Sequence, residues 1–177
     1  MSQSATLYRV SKDTFIQLNK PENNQSFDIN SAKSYSVFLG SFMGLNYILS
    51  KGQNDATIEI VNQIFYPKQS IGEQGFEGLT PEEQFEYYES GLYISYLDAS
   101  KISKIHDFIS NFSQTEVHSK YDAKEFNDNG IYPEIWHNDN SHDQAFNERH
   151  ILEDLEQLKT IIKQANIDGD YIFVFVG

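Results

Sequence analysis

The chain has 177 residues, with 26 acidic and 13 basic side chains and a formal net charge of −13 at pH 7. A protein this acidic repels phosphate backbones, so we expect no nucleic-acid partner, whereas a basic protein partner would suit the charge. The lack of cysteine excludes disulfides, thiol catalysis and cysteine-ligated zinc, and it is typical of a reducing compartment.

The length suits a single domain, which we predict to span residues 1–177. The opening stretch MSQSATLYRV lacks the basic head and apolar run of a secretory signal peptide. The longest apolar region, residues 35–49, is shorter than the ~20 residues that a membrane-spanning helix requires. We therefore expect a cytoplasmic protein with no membrane partner.

The first third of the chain predicts one strand followed by helices. Residues 6–10 fit a strand, and Ser11 is placed to cap the short helix after it. Small residues then recur at every fourth position: Ala32, Ser36, Gly40 and Gly44. This spacing predicts a helix over residues 32–49 whose small stripe lets another backbone approach closely. Residues 56–65 fit helical spacing better than strand alternation.

The middle of the chain predicts a short acidic helix. Thr80 can cap it, Pro81 suits the first helical position, and Glu83 completes a capping box. Its acidic cluster consists of Glu82, Glu83, Glu86 and Glu89. These side chains form either a solvated face or a docking patch for basic residues.

The remainder predicts alternating strands and helices. Residues 92–97 are rich in aromatic and β-branched side chains and predict a strand, after which Asp98 caps a helix. Asp122 with Glu125 resembles another cap pair, and Gly130 is expected to end that helix.

A long helix with its apolar side running from Phe146 to Ala165 follows, and Ser141 or Asp143 would cap it. Residues 171–176 are apolar on both faces, which predicts a central, covered strand. The whole pattern predicts an α+β domain with a small mixed sheet, an apolar C-terminal strand and surrounding helices.

Several short motifs of the chain resemble those of the YfbM-like bacterial family, a domain of unknown function. The motifs are Leu7–Ser11 (LYRVS), Gly44–Leu49 (GLNYIL), Tyr96–Asp98 (YLD), Tyr121–Asp122 (YD), Phe126–Asn127 (FN) and Ile131–Trp136 (IYPEIW). The resemblance is nearly continuous from Leu92 to the end. Asn46 stands where the family tends to carry His, and Ile94-Ser95 where it often has Arg. The resemblance implies the fold and implies no chemistry.

The passage NDNGIYPEIWHNDNSHD, residues 127–143, concentrates histidines and carboxylates. A metal site would use His137, Asp139, His142 and Asp143. Their spacing matches no familiar zinc template, and the intervening residues are turn and cap formers. We therefore predict no metal and no cofactor, with a structural turn as the favoured interpretation and the metal site as its alternative.

Glu134 is the strongest single candidate for a chemical role. In a strand, Tyr132, Glu134 and Trp136 would share one face, and burial between two rings would raise the pKa of the carboxyl. Such a group is either a general acid or a structural partner of the only two arginines, Arg9 and Arg149.

Two classes of function follow from these features. The absence of a nucleophile elbow and the acidic charge favour a binding module, for example an immunity- or inhibitor-type protein that docks a basic partner through its acidic surface. The candidate binding residues are Tyr132, Glu134 and Trp136. The alternative is a hydrolase or metal-assisted enzyme that uses Glu134 with His137, Asp139 or His142.

Overall fold

The apolar C-terminal strand lies at the centre of the sheet, as its two apolar faces predict. The fold is given by a computed structural model that describes residues 3–20 and 25–177. Its strands are β1 (Ser4–Val10), β2 (Ser34–Leu39), β3 (Gln69–Ile71), β4 (Ile94–Leu97) and β5 (Tyr171–Val176). They form one five-stranded sheet in the order β2-β1-β5-β4-β3.

The pairings between these strands are all antiparallel, so the predicted mixed sheet is wrong in this respect, while the α+β class is confirmed. The two long helices between β4 and β5 explain why β5 runs antiparallel to β4. The chain leaves β4 along one helix and returns along another that packs against the first, so it re-enters the sheet antiparallel to its neighbour.

Helices surround the sheet, mostly on one face. The helices are α1 (Lys12–Leu18), α2 (Phe42–Ser50), α3 (Asp55–Asn62), α4 (Glu73–Phe76), α5 (Pro81–Glu89), α6 (Ala99–Ser110), α7 (Gln114–Lys120), α8 (Ala123–Asp128) and α9 (Glu148–Asp168). The larger core joins one sheet face to α2, α3, α6 and α9. A smaller core on the other face is rich in rings and centres on Phe15 of α1 and Phe173 of β5.

The predicted helix over residues 32–49 is wrong in its first half. Residues 34–39 form the edge strand β2, in which Tyr35, Val37 and Leu39 are exposed and Phe38 is buried. Gly40 then adopts a left-handed φ of 70° that ends the strand and starts the turn into α2. The four-residue spacing of small side chains across this boundary does not reflect a shared helix face.

The predicted helix N-caps are confirmed where a side-chain oxygen accepts a hydrogen bond from a backbone N–H two or three residues later. Ser11 and Asp98 accept hydrogen bonds from the first turns of α1 and α6, and Thr80 forms a reciprocal capping box with Glu83. Asp122 caps α8 as predicted, and Gly130 follows its end with a left-handed φ of 65°.

The predicted start of the last helix is wrong. Asn147, not Ser141 or Asp143, caps α9, and its side chain accepts a hydrogen bond from the His150 backbone. Phe146 lies outside the helix with a left-handed φ of 54°. Within the part of the chain that the structure describes, no helix is long and apolar enough to span a bilayer.

Asp154 is a buried carboxyl on α9. The residue is 6% exposed, and among the described residues its Oδ2 atom has no hydrogen-bond partner. Burial raises the pKa of Asp154 to about 6, and a contact with the Ser41 hydroxyl at the start of α2 opposes this shift. An ionised Asp154 is therefore a source of instability in the folded protein.

We predict that Asp154→Asn raises the free energy of unfolding above pH 6. Unfolded aspartate ionises near pH 3.8, while folded Asp154 keeps its proton to about pH 6, so wild-type stability falls as pH rises through this window. The shift corresponds to on the order of 3 kcal/mol, part of which the variant recovers. Urea unfolding at pH 4 to 8 measures the effect. A wild-type-to-variant difference that does not change with pH would contradict this assignment.

Candidate functional site

The IYPEIW segment is a structural clamp built around Trp136. The indole is 3% exposed and packs against Gly44 of α2, where an added Cβ would lie 2.4 Å from the ring. Its Nε1 donates a hydrogen bond to the Ile131 carbonyl at 2.9 Å. The Asn127 side chain binds both backbone polar groups of Trp136. Its Oδ1 accepts from the Trp136 N–H at 2.8 Å, and its Nδ2 donates to the Trp136 C=O at 3.0 Å.

Glu134 does not lie between two rings, so the predicted strand face of Tyr132, Glu134 and Trp136 is wrong. Its backbone has a left-handed φ of 62°, and its N–H donates to the Ile131 carbonyl at 2.9 Å, closing a turn that contains a cis Tyr132–Pro133 bond. The side chain is exposed, so the burial on which a general acid would depend is absent.

The two arginines serve other carboxylates. Arg9 pairs with Asp168 at 2.7 Å, and Arg149 pairs with Glu153 at 2.8 Å. Neither contact involves Glu134, so its predicted structural pairing is also wrong. The binding trio is divided: Trp136 is core, Tyr132 packs beside Gly40, and Glu134 faces solvent.

The histidines and aspartates after Trp136 belong to the turn that leads into α9. Asp139 accepts from the Ser141 N–H at 2.9 Å and from its hydroxyl at 3.1 Å. The His137 backbone accepts a hydrogen bond from the Tyr121 hydroxyl at 2.6 Å, and His142 and Asp143 are exposed. Across residues 3–20 and 25–177, no group of three or more His, Asp or Glu side chains is arranged to hold a metal ion.

Residues 69–100 contribute an acidic region of the surface. This stretch contains no Lys, Arg or His, and its seven acidic residues are Glu73, Glu77, Glu82, Glu83, Glu86, Glu89 and Asp98. The ion pairs of the described chain all lie outside it. None of these seven carboxylates therefore forms an ion pair with a cation of the described residues.

Helix α5 presents these carboxylates around an exposed ring. Glu82, Phe85, Glu86 and Glu89 follow the i, i+3, i+4, i+7 spacing of one helix face, which we name the α5 outer surface. The three carboxylate residues are exposed, and Phe85 is 66% exposed. The carboxylates of this surface were predicted from the sequence and Phe85 was not, although its helical spacing from Glu82 and Glu89 was the available signal.

The opposite face of α5 is anchored to the domain by tyrosines. The Tyr88 hydroxyl donates to the Val176 carbonyl of β5 at 3.1 Å, and the Tyr87 hydroxyl donates to the Gly72 carbonyl at 3.2 Å. Glu83 is occupied in the capping box, where hydrogen bonds from Thr80 hold its pKa below the usual range. The helix is therefore fixed with its outer surface toward solvent.

The charges of the α5 outer surface oppose helix stability. Glu82 and Glu86 are like charges at i, i+4, and Glu89 lies in the last turn, where the macrodipole favours cations. That turn contains no basic residue. A protein retains such local conflicts where function requires them, so the surface is our candidate functional site.

We predict that Asn127→Ala lowers the free energy of unfolding by about 2–4 kcal/mol, because it leaves two backbone groups of the buried Trp136 unpaired. Denaturant unfolding followed by the fluorescence of Trp136, the sole tryptophan, measures it. The matched control is Asn129→Ala, which removes one exposed hydrogen bond to the Glu125 carbonyl and should cost under about 1 kcal/mol. Equal costs for the two variants would show that Asn127 does not anchor the clamp.

The comparisons with known proteins agree with this architecture. The sequence matches the profile of a domain of unknown function, DUF1877, over residues 1–175. The fold is similar to the crystal structure of a protein of unknown function, YfbM from Escherichia coli, with a TM-score of 0.64, 12% identity and full coverage of both chains. No curated protein matches the chain. The resemblance of its motifs to the YfbM-like family is thus confirmed, and the chain belongs to the DUF1877 family.

Proposed function

We propose that this protein is a binding module whose α5 outer surface docks an arginine-rich segment of a basic partner protein. The observation that carries the proposal is a 66% exposed Phe85 among three exposed carboxylates on one fixed helix face. An immunity- or inhibitor-type protein, which neutralises a basic toxin or enzyme, is one form of this function.

Arginine is the cation that fits both components of the surface. Its guanidinium pairs with carboxylates in a bidentate fashion, and it also stacks on aromatic faces, which the compact ammonium of lysine does less well. One guanidinium over Phe85 would reach Glu82, Glu86 or Glu89 on the same face. The Phe85 ring would thus give the surface a preference for arginine over lysine, which charge alone does not supply.

Electrostatics would also speed association. The net charge of −13 and the absence of cations from residues 69–100 create a negative potential that attracts a basic partner from a distance. Binding would in turn relieve the repulsion between the carboxylates of α5. The exposed turn at Glu134 offers no comparable combination, so we propose no reaction for it.

The test uses a short arginine-rich peptide and its lysine-for-arginine counterpart, measured by fluorescence anisotropy at low salt. We predict that the arginine peptide binds more tightly. The triple change Glu82→Gln, Glu86→Gln, Glu89→Gln should weaken it about tenfold, since exposed pairs contribute roughly 0.2–1 kcal/mol each. Phe85→Ala should weaken it about two- to fivefold and remove the preference over lysine.

Two matched controls separate this surface from net charge and general apolarity. The triple change Asp13→Asn, Asp107→Asn, Asp143→Asn alters the net charge equally at exposed sites elsewhere. Ile167→Ala removes an apolar side chain that is 70% exposed on α9. Both should leave binding unchanged within about twofold. If the two triple variants weaken binding equally, the interaction reflects net charge only and the proposal fails.

A further inference from the structure

A cavity of about 340 Å³ lies between α2 and α3, on elements separate from the α5 outer surface. Its apolar walls include Phe42 and Met43 of α2, Ile58 of α3 and Ile131 of the Trp136 clamp. The volume falls within the range of small-molecule sites, roughly 300–1,000 Å³.

The fold holds these walls in place from two directions. The α2 residues that line the cavity recur at the spacing of one helix face, while the neighbouring Gly44 is packed under Trp136. Ile131 is fixed because its carbonyl accepts hydrogen bonds from both Trp136 Nε1 and the Glu134 N–H, each at 2.9 Å. The backbone that carries these walls is therefore held by helix packing and by hydrogen bonds.

The polar side of the cavity has unused hydrogen-bonding capacity. Asn46 Nδ2 donates to Asn62 Oδ1 at 3.1 Å, which fixes the Asn46 amide. Its Oδ1, and the Oγ of Ser50 one turn further along α2, are both buried and lack a hydrogen-bond partner within the described residues. Buried oxygens without partners cost free energy, which a ligand donor would recover.

The lining carries no charge at neutral pH. The residues around the cavity are aliphatic, aromatic, amide or hydroxyl side chains. A hydrogen bond to Glu125 is the main factor that raises the pKa of Tyr47 to about 12, and burial raises the pKa of Tyr66. Glu125 itself is engaged with Lys51 at 2.5 Å. An ion placed in this cavity would lose its hydration without meeting a counter-charge.

We propose that this cavity binds a small uncharged aromatic compound that presents an N–H donor to Asn46 Oδ1. The rings of Phe42, Tyr47 and Tyr66 suit a flat apolar body, and Ser50 Oγ offers a second hydrogen bond as donor or acceptor. The two oxygens are closed to solvent in the unliganded protein, so a wall residue has to move. Met43, with its flexible thioether, is the lining side chain best suited to that movement.

Three probes of similar size test the proposal on the full chain. Benzamide carries the donor, toluene lacks it, and benzoate replaces it with a charge. We expect benzamide to shift the NMR signals of the Asn46 and Asn62 side-chain amides, and to bind at least tenfold more tightly than either of the others. Benzoate binding as well as benzamide, or no probe shifting these signals, would overturn the proposal.

Variants then locate the site. Asn46→Leu should remove the preference of benzamide over toluene while toluene binding persists, which also shows that the variant is folded. Ile58→Trp fills the cavity and should abolish binding of both, whereas Ile167→Trp, at an exposed site on α9, should leave both unchanged. Retention of tight benzamide binding in both Asn46→Leu and Ile58→Trp would refute the assignment. Since Phe85→Ala should not alter benzamide binding, the result is independent of the proposed protein partner.

Discussion

Burial of β5 on both faces is the constraint on which the rest of the structure depends. One face of the strand carries Ile172 and Val174 into the larger core, and the other carries Phe173 into the ring-rich core beside Phe15. A strand so apolar is stable only when both sides are covered. The helices α6 and α9 cover one side, and α1 with the rings around it covers the other. The carbonyl of Val176 also accepts the tyrosine hydrogen bond that orients α5.

The close contact between Trp136 and Gly44 connects the IYPEIW segment to helix α2 and the larger core. Only glycine leaves room for the indole at this point of α2, since any Cβ would overlap the ring. The contact explains why the IYPEIW segment is buried at Trp136 and exposed at Glu134. It also fixes Ile131 as a wall of the cavity, so the segment shapes the proposed site without supplying its polar groups.

The elements that could be predicted from the sequence are those whose signals are local. Caps such as Ser11 and Asp98 bind backbone groups within three residues. The C-terminal strand is apolar on both faces, and this pattern alone predicts its burial. The wrong predictions arose where a local backbone conformation interrupts the residue spacing of a predicted helix or strand. Gly40 and Glu134 both adopt positive φ, and neither the break between β2 and α2 nor the turn after Pro133 follows from hydrophobic periodicity.

The α5 outer surface and the cavity were harder to predict than the fold, because each depends on side-chain groups that are left without a partner in the folded protein. The carboxylates of α5 could be recognised by composition, but the exposure of Phe85 and the unpaired oxygen of Asn46 depend on tertiary packing. The net charge of −13 affects the two sites differently. Salt screens the attraction of an arginine-rich partner, whose charges act through solvent. An uncharged ligand inside the cavity would experience no such loss, so added salt would separate the two proposed binding functions in the wild-type protein.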